Sequence, residues 1–130
     1  MRLLGIDHVV IRARDPVLME RFYVEVLGCT VERRQDAIGL VQLRAGTQLI
    51  DLVDVAGRLG QMGGAAPGLD GHNMDHLCLR VIDFDIDTVR AHLEAHGVAV
   101  GDIGPRYGST GEAVSLYLSD PEGNGLELRG

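Results

Sequence analysis

Apolar and polar positions alternate with period two in several short runs and at helical spacing in two longer ones. In Ile6–Asp15, Val9 and Ile11 share one face while His8, Val10 and Arg12 share the other. Asp15-Pro16 then opens a helical pattern, Asp suiting the N-cap and Pro the first helical position. Leu18, Phe22 and Val26 form its stripe, with Met19, Tyr23 and Leu27 beside them, and Gly28 ends it. Three alternating runs follow, at 29–34, 38–44 and 48–54. This reads as strand, helix, three strands.

The same order recurs. Ile6–Asp15 aligns with Met74–Asp83 at an offset of 68, with Asp, His, Arg and the closing Asp coinciding and apolar residues between them. Asp83 or Asp85 caps a second helix whose stripe is Ile86, Val89 and Leu93 and whose stop is Gly97. Strands are expected at 98–103, 113–119 and 125–129. The organisation is therefore a βαβββ module over 1–55, a linker or mobile cover over 56–73, and a second βαβββ module over 74–130. The linker carries six Gly and one Pro. The fold class is α+β.

Pattern also aims the polar side chains. Each helix covers the more apolar face of the strand before it. Both histidines, His8 and His76, then face the opposite side, with Arg12 and Arg80 four residues further on. Asp51 lies amid apolar residues in Gln48–Val53, and Glu127 lies between Leu126 and Leu128. Burying either carboxylate alone costs on the order of several kcal/mol, so each needs a partner or a metal. Two histidines and two carboxylates are expected to converge on one face.

Composition narrows the function. Hydrophobic residues are 45% and charged residues 24% of 130, which is globular rather than disordered. Lys plus Arg is 12 against 19 Asp plus Glu, a net charge of −7, so partners that need a basic surface, nucleic acid and anionic membrane, are not expected. Two cysteines, Cys29 and Cys78, neither staple a small fold nor form a CxxC zinc pattern. The N-terminus lacks a signal-peptide pattern, and no run reaches the roughly 18 apolar residues of a membrane span. The expected compartment is the cytoplasm.

The segments DHVVIRARD, LGCTV, MDHLCLRV and DPEGNGLEL resemble the vicinal oxygen chelate superfamily. That group includes glyoxalase I, fosfomycin-resistance proteins, methylmalonyl-CoA epimerase, extradiol dioxygenases and bleomycin-resistance proteins. The resemblance implies two βαβββ modules forming a curled mixed sheet around a divalent metal. It implies His8, His76 and Glu127 as metal ligands, and its fourth ligand position falls on Asp51, with direct ligation, ligation through water and no ligation as the alternatives. Glyoxalase I often has Glu there, and Asp is one methylene shorter, a displacement of about 1.5 Å. Zn, Ni, Co, Mn and Fe all suit imidazole with carboxylate. The resemblance further implies a homodimer with an isologous interface.

The expected activity is a glyoxalase-like, metal-dependent lyase or isomerase that chelates a small oxygenated, anionic substrate. Asp51 or Glu127 would serve as base, and Arg12 and Arg80 would hold the anion. Glutathione or another thiol is a candidate co-substrate. Three alternatives stand beside it: a metal-free sequestering protein of bleomycin-resistance type, a fosfomycin-type thiol transferase, and an extradiol-type dioxygenase. Other residues read more plainly. His92 and His96 suit a helix C-terminus, Asp120–Asn124 suits a turn, and Cys78 reads as a small buried hydrophobe. His72 and Tyr107 sit in segments expected to be loops near the cleft.

Overall fold

The computed structural model describes residues 1–130. It divides into two compact units, 1–73 and 74–130. In the first, β1 (His8–Ala13) leads into α1 (Pro16–Arg21), which continues as a π-helical turn, Phe22–Val26. Strands β2 (Thr30–Gln35), β3 (Leu40–Ala45) and β4 (Gln48–Asp54) complete it. In the second, β5 (His76–Arg80) and α2 (Ile86–Ala95) precede β6 (Ile103–Gly108), β7 (Gly111–Ser119) and β8 (Gly125–Arg129). Each unit holds one four-stranded mixed sheet, ordered β1-β4-β3-β2 and β5-β8-β7-β6, with only the first pair parallel. The duplicated α+β, βαβββ architecture read from the repeat is therefore what the chain adopts.

Local chemistry explains the element ends. Asp15 and Asp85 cap α1 and α2 by accepting from the amides of Leu18 and Thr88, both at 2.9 Å. At the end of α2, Val98 N donates to Leu93 O and Gly97 N to Glu94 O, a Schellman closure. The Asp120 carboxylate accepts from the amides of Glu122 and Asn124, so Asp120–Asn124 is the structural turn its composition suggested. His96 Nδ1 donates to His92 O at 2.8 Å, a C-terminal bond within the helix.

Three expectations shift. The buried residues of the first helix are Met19, Phe22 and Tyr23, while Leu18 is exposed, and after Arg21 the chain widens into a π-turn. The strand expected at 98–103 lies instead at Ile103–Gly108. Val98 is consumed by the helix closure, and Pro105 is tolerated because β6 is an edge strand. Cys78 is exposed rather than buried.

Residues 56–73 group with the first unit. Leu59 N donates to Ile38 O and Gly57 N to Asp54 O. Gly60 is buried against the Asp54 carbonyl, where any Cβ would overlap that oxygen. Glycine there lets two stretches of backbone touch. No helix is long and apolar enough to cross a membrane.

Candidate metal-binding and substrate-binding face

Register decides which side chains share a face. In the first unit, Val10 pairs with Asp51 and Asp51 with Gln42, so His8, Arg12, Asp51 and Gln42 lie on the side away from Ile11, Ile50 and Leu52. His8 opens β1. Its Nδ1 lies 2.7 Å from Asp7 Oδ1. A carboxylate only accepts, so Nδ1 is the donor and Nε2 remains available. The bond to Asp7 outweighs desolvation and, with smaller help from the charges of Asp51 and Asp7, raises the His8 pKa above 6.5.

Asp51 is buried at 5% exposure on β4. Gln42 Nε2 donates to its Oδ2 at 3.0 Å, and Oδ1 is buried with no hydrogen-bond partner. A buried carboxylate oxygen without a donor is costly. It is a position suited to a cation.

The second unit repeats the pattern with different auxiliaries. His76 Nδ1 donates to Asp75 Oδ1 at 2.6 Å, and its Nε2 is 3.3 Å from Glu127 Oε2. Glu127 is 5% exposed on β8, opposite Cys78 on one side and Tyr117 on the other. The Tyr117 hydroxyl donates to Glu127 Oε2 at 3.0 Å. Burial pushes the Glu127 carboxyl up, but Ser115, Tyr117 and the charge of His76 outweigh it and hold the group below its ordinary value. The Ser115 hydroxyl makes no hydrogen bond of normal geometry, so its effect on Glu127 acts through proximity. Partial desolvation and then Glu127 raise the Cys78 thiol above its ordinary value.

Each histidine therefore presents one nitrogen beyond an anchored ring, beside a buried carboxylate on a neighbouring strand. This is the carboxylate–histidine arrangement that orients imidazole toward a metal. The donor types are those that suit a divalent ion, and Asp51 Oδ1 is a buried acceptor without a donor. Within either unit no third His, Cys, Asp or Glu joins the pair closely enough to hold a metal.

The two expected anion-binding arginines fare differently. Arg12 Nη1 donates to Ala65 O at 2.8 Å, and Nη2 donates to Gly64 O and Gly60 O at 2.9 and 3.1 Å. Its backbone exchanges hydrogen bonds with the Asn73 amide. Arg12 thus fastens the glycine-rich segment to β1. Arg80 is exposed and makes no ion pair, opposite Arg129 in the ladder. Tyr107 is 87% exposed, and its neighbour Arg106, not Tyr107, takes the face of Glu127, stacking 5.5 Å from the Tyr117 ring. His72 is exposed in the 56–73 segment.

Sequence reasoning missed Asp7, Asp75, Gln42, Tyr117 and Arg129. The first two were visible as an identity in the repeat. The other three depend on which strands pair.

Known proteins share this fold. The family model described as Glyoxalase/Bleomycin resistance protein/Dioxygenase superfamily matches residues 5–128. Virulence protein STM3117 of Salmonella typhimurium is 30% identical over 130 residues, covering 95% of this chain and 81% of that protein. The crystal structure under that name superposes with a TM-score of 0.80 at 26% identity, covering 99% of this chain and 98% of that one. Lactoylglutathione lyase from Agrobacterium tumefaciens shares the fold at TM-score 0.73 and 24% identity, covering 99% and 95%. TnmS3, an antibiotic binding protein from a Streptomyces species, shares it at TM-score 0.70 and 24% identity, covering 99% and 97%. The chain belongs to the glyoxalase/bleomycin resistance protein/dioxygenase superfamily.

Proposed function

We propose that this protein is a divalent-metal-dependent enzyme of glyoxalase-like type, a lyase or isomerase acting on a small oxygenated substrate, with His8, Asp51, His76 and Glu127 as metal ligands. One observation carries the reading. The Asp–His pair at a strand start, facing a buried carboxylate braced by a donor on the next strand, occurs in both units: Asp7, His8, Asp51 and Gln42, then Asp75, His76, Glu127 and Tyr117. A purely structural ion pair does not require the second copy to keep the imidazole aimed and the carboxylate buried.

When bound, the metal supplies Lewis acidity for developing negative charge on substrate oxygen. The chain's own groups do the rest. Asp7 and Asp75 fix the tautomer of each imidazole. Glu127, held ionised by its neighbours, is available as a proton acceptor at neutral pH. Burial first, then the Glu127 carboxylate, push the Tyr117 phenol up, so it stays protonated and remains a donor. We extend the proposal to a homodimer and to glutathione or another thiol as a candidate co-substrate.

The test is metal content. Protein purified and dialysed without chelator is expected to retain a stoichiometric divalent metal, and His76→Ala and Glu127→Gln are expected to lose it while keeping the native circular dichroism. Metal-free wild-type protein that takes up no Zn, Ni, Co, Mn or Fe would overturn the proposal in favour of sequestration without metal chemistry.

A further inference from the structure

On the second unit's sheet, two residues along from Glu127, a transverse row of donors has no anionic acceptor. Arg129 on β8 pairs in register with Arg80 on β5 and with Ser115 on β7. Arg129 is 2% exposed, and its Nε and Nη1 are buried with no hydrogen-bond partner. The Ser115 hydroxyl is fully buried and also unpartnered. Arg80 makes no ion pair, and like charges opposite each other on adjacent strands destabilise a sheet. A buried guanidinium needs an anion, yet no carboxylate of the chain forms a salt bridge with Arg129. Its single side-chain hydrogen bond goes from Nη2 to Gly111 O at 2.6 Å. Gly108, at the other end of the β6–β7 turn, lies so close to Nη1 that a Cβ there would overlap it. The turn therefore roofs the guanidinium with backbone and gives it one neutral acceptor.

From this row we infer an oxyanion-binding site, built from Arg129, Arg80 and the Ser115 hydroxyl beneath the β6–β7 turn, that takes the carboxylate or phosphate end of a small ligand. The guanidinium group suits planar and tetrahedral oxyanions through charge-assisted hydrogen bonds. Two residues of strand separate the row from Glu127, about 6.6 Å. A ligand seated here presents its remaining oxygens to the Glu127 row. The inference deepens the function proposed above by naming the charged end of the substrate, and its link to that chemistry rests on that reading; the anion site itself does not.

The experiment is calorimetric titration of EDTA-treated, full-length protein with inorganic phosphate and, separately, with malonate, at constant ionic strength set by chloride. Saturable binding of at least one ion is expected. Arg129→Gln is expected to weaken it tenfold or more. Ser115→Ala, which removes a buried hydroxyl close to Glu127, is expected to weaken it several-fold. Arg129→Lys keeps the charge but loses the guanidinium geometry and falls between wild type and Arg129→Gln. Arg90→Gln on the outer surface of α2, where Arg90 pairs with Glu94, leaves binding unchanged. Preference for phosphate assigns a phosphate-bearing ligand, and preference for malonate a carboxylate. If Arg129→Gln fails to fold, Ser115→Ala and Arg129→Lys carry the test. No binding of either ion to wild type, or wild-type affinity in the Arg129 and Ser115 variants, overturns the site. Because the titration is metal-free, phosphate binding through Arg129 in a protein that takes up no metal supports this site while refuting the metal-dependent reading.

Discussion

Asp7 and Asp75 decide which nitrogen each histidine offers. Both carboxylates are exposed, so their bonds to Nδ1 contribute orientation rather than stability. Outer-shell partners of this kind are worth about 10- to 100-fold in metal affinity. Asp75→Asn is therefore expected to weaken metal binding by about that factor with little change in thermal stability, read by competition with a chromophoric chelator. Unchanged affinity would remove Asp75 from the site. The cysteines make a second contrast. Burial pushes Cys29 up to about 11, whereas Cys78 is exposed. Iodoacetamide near pH 8 is expected to label Cys78 in the native protein and Cys29 only after unfolding, as peptide mass mapping would show. At this scale the two histidines and two carboxylates were legible because each recurs at an equivalent position. Gln42 and Tyr117 were not, because nothing along the chain says which residue of a neighbouring strand stands opposite an acid. Nor was Arg129, whose burial depends on β8 lying between β5 and β7.

Elements were legible where a local signal and the packing agree. Both helix starts follow from a capping Asp, joined at α1 by Pro16, and β4 and β8 lie where alternation put them. They were misread where two signals compete. Val98–Val100 has strand-like composition, but the Val98 amide closes α2 and the strand begins five residues later. The cap of α2 gives a pH prediction. The Thr88 hydroxyl and amide donate to Asp85 and lower its pKa below 3.8. A depressed carboxyl contributes stability above its unfolded value, and this is lost as pH falls through the lower folded value. Helicity of α2, followed by the Thr88 and Val89 amide shifts, is expected to decline below pH 3.8, and Asp85→Ala is expected to abolish that dependence. Leu93, the buried residue of α2, is the element's main anchor. Leu93→Ala is expected to cost about 2–5 kcal/mol in urea unfolding, whereas a loss under about 1 kcal/mol would mean that α2 is held elsewhere.

The duplication shows at the level of the whole molecule, in strand order, parallel first pair and paired acid, but the two units are not equally well filled. The first buries eleven apolar side chains: Ile11, Ala13, Met19, Phe22, Tyr23, Cys29, Leu40, Leu43, Ile50, Leu52 and Val53. The second buries five: Leu93, Leu116, Leu118, Leu126 and Leu128. Small units with little buried apolar area are marginal, and local opening free energy follows burial. Amides of β5–β8 are therefore expected to exchange with deuterium faster than those of β1–β4 in dilute protein. If the proposed homodimer forms through apolar surface of the second unit, protection in β5–β8 rises with protein concentration while protection in β1–β4 changes little. The mass by light scattering then moves from 14.0 kDa toward about twice that value over the same range. Slow exchange in β5–β8 that is independent of concentration, in a protein that stays monomeric, would mean the second unit is stabilised without a partner, and the dimer proposal would fail.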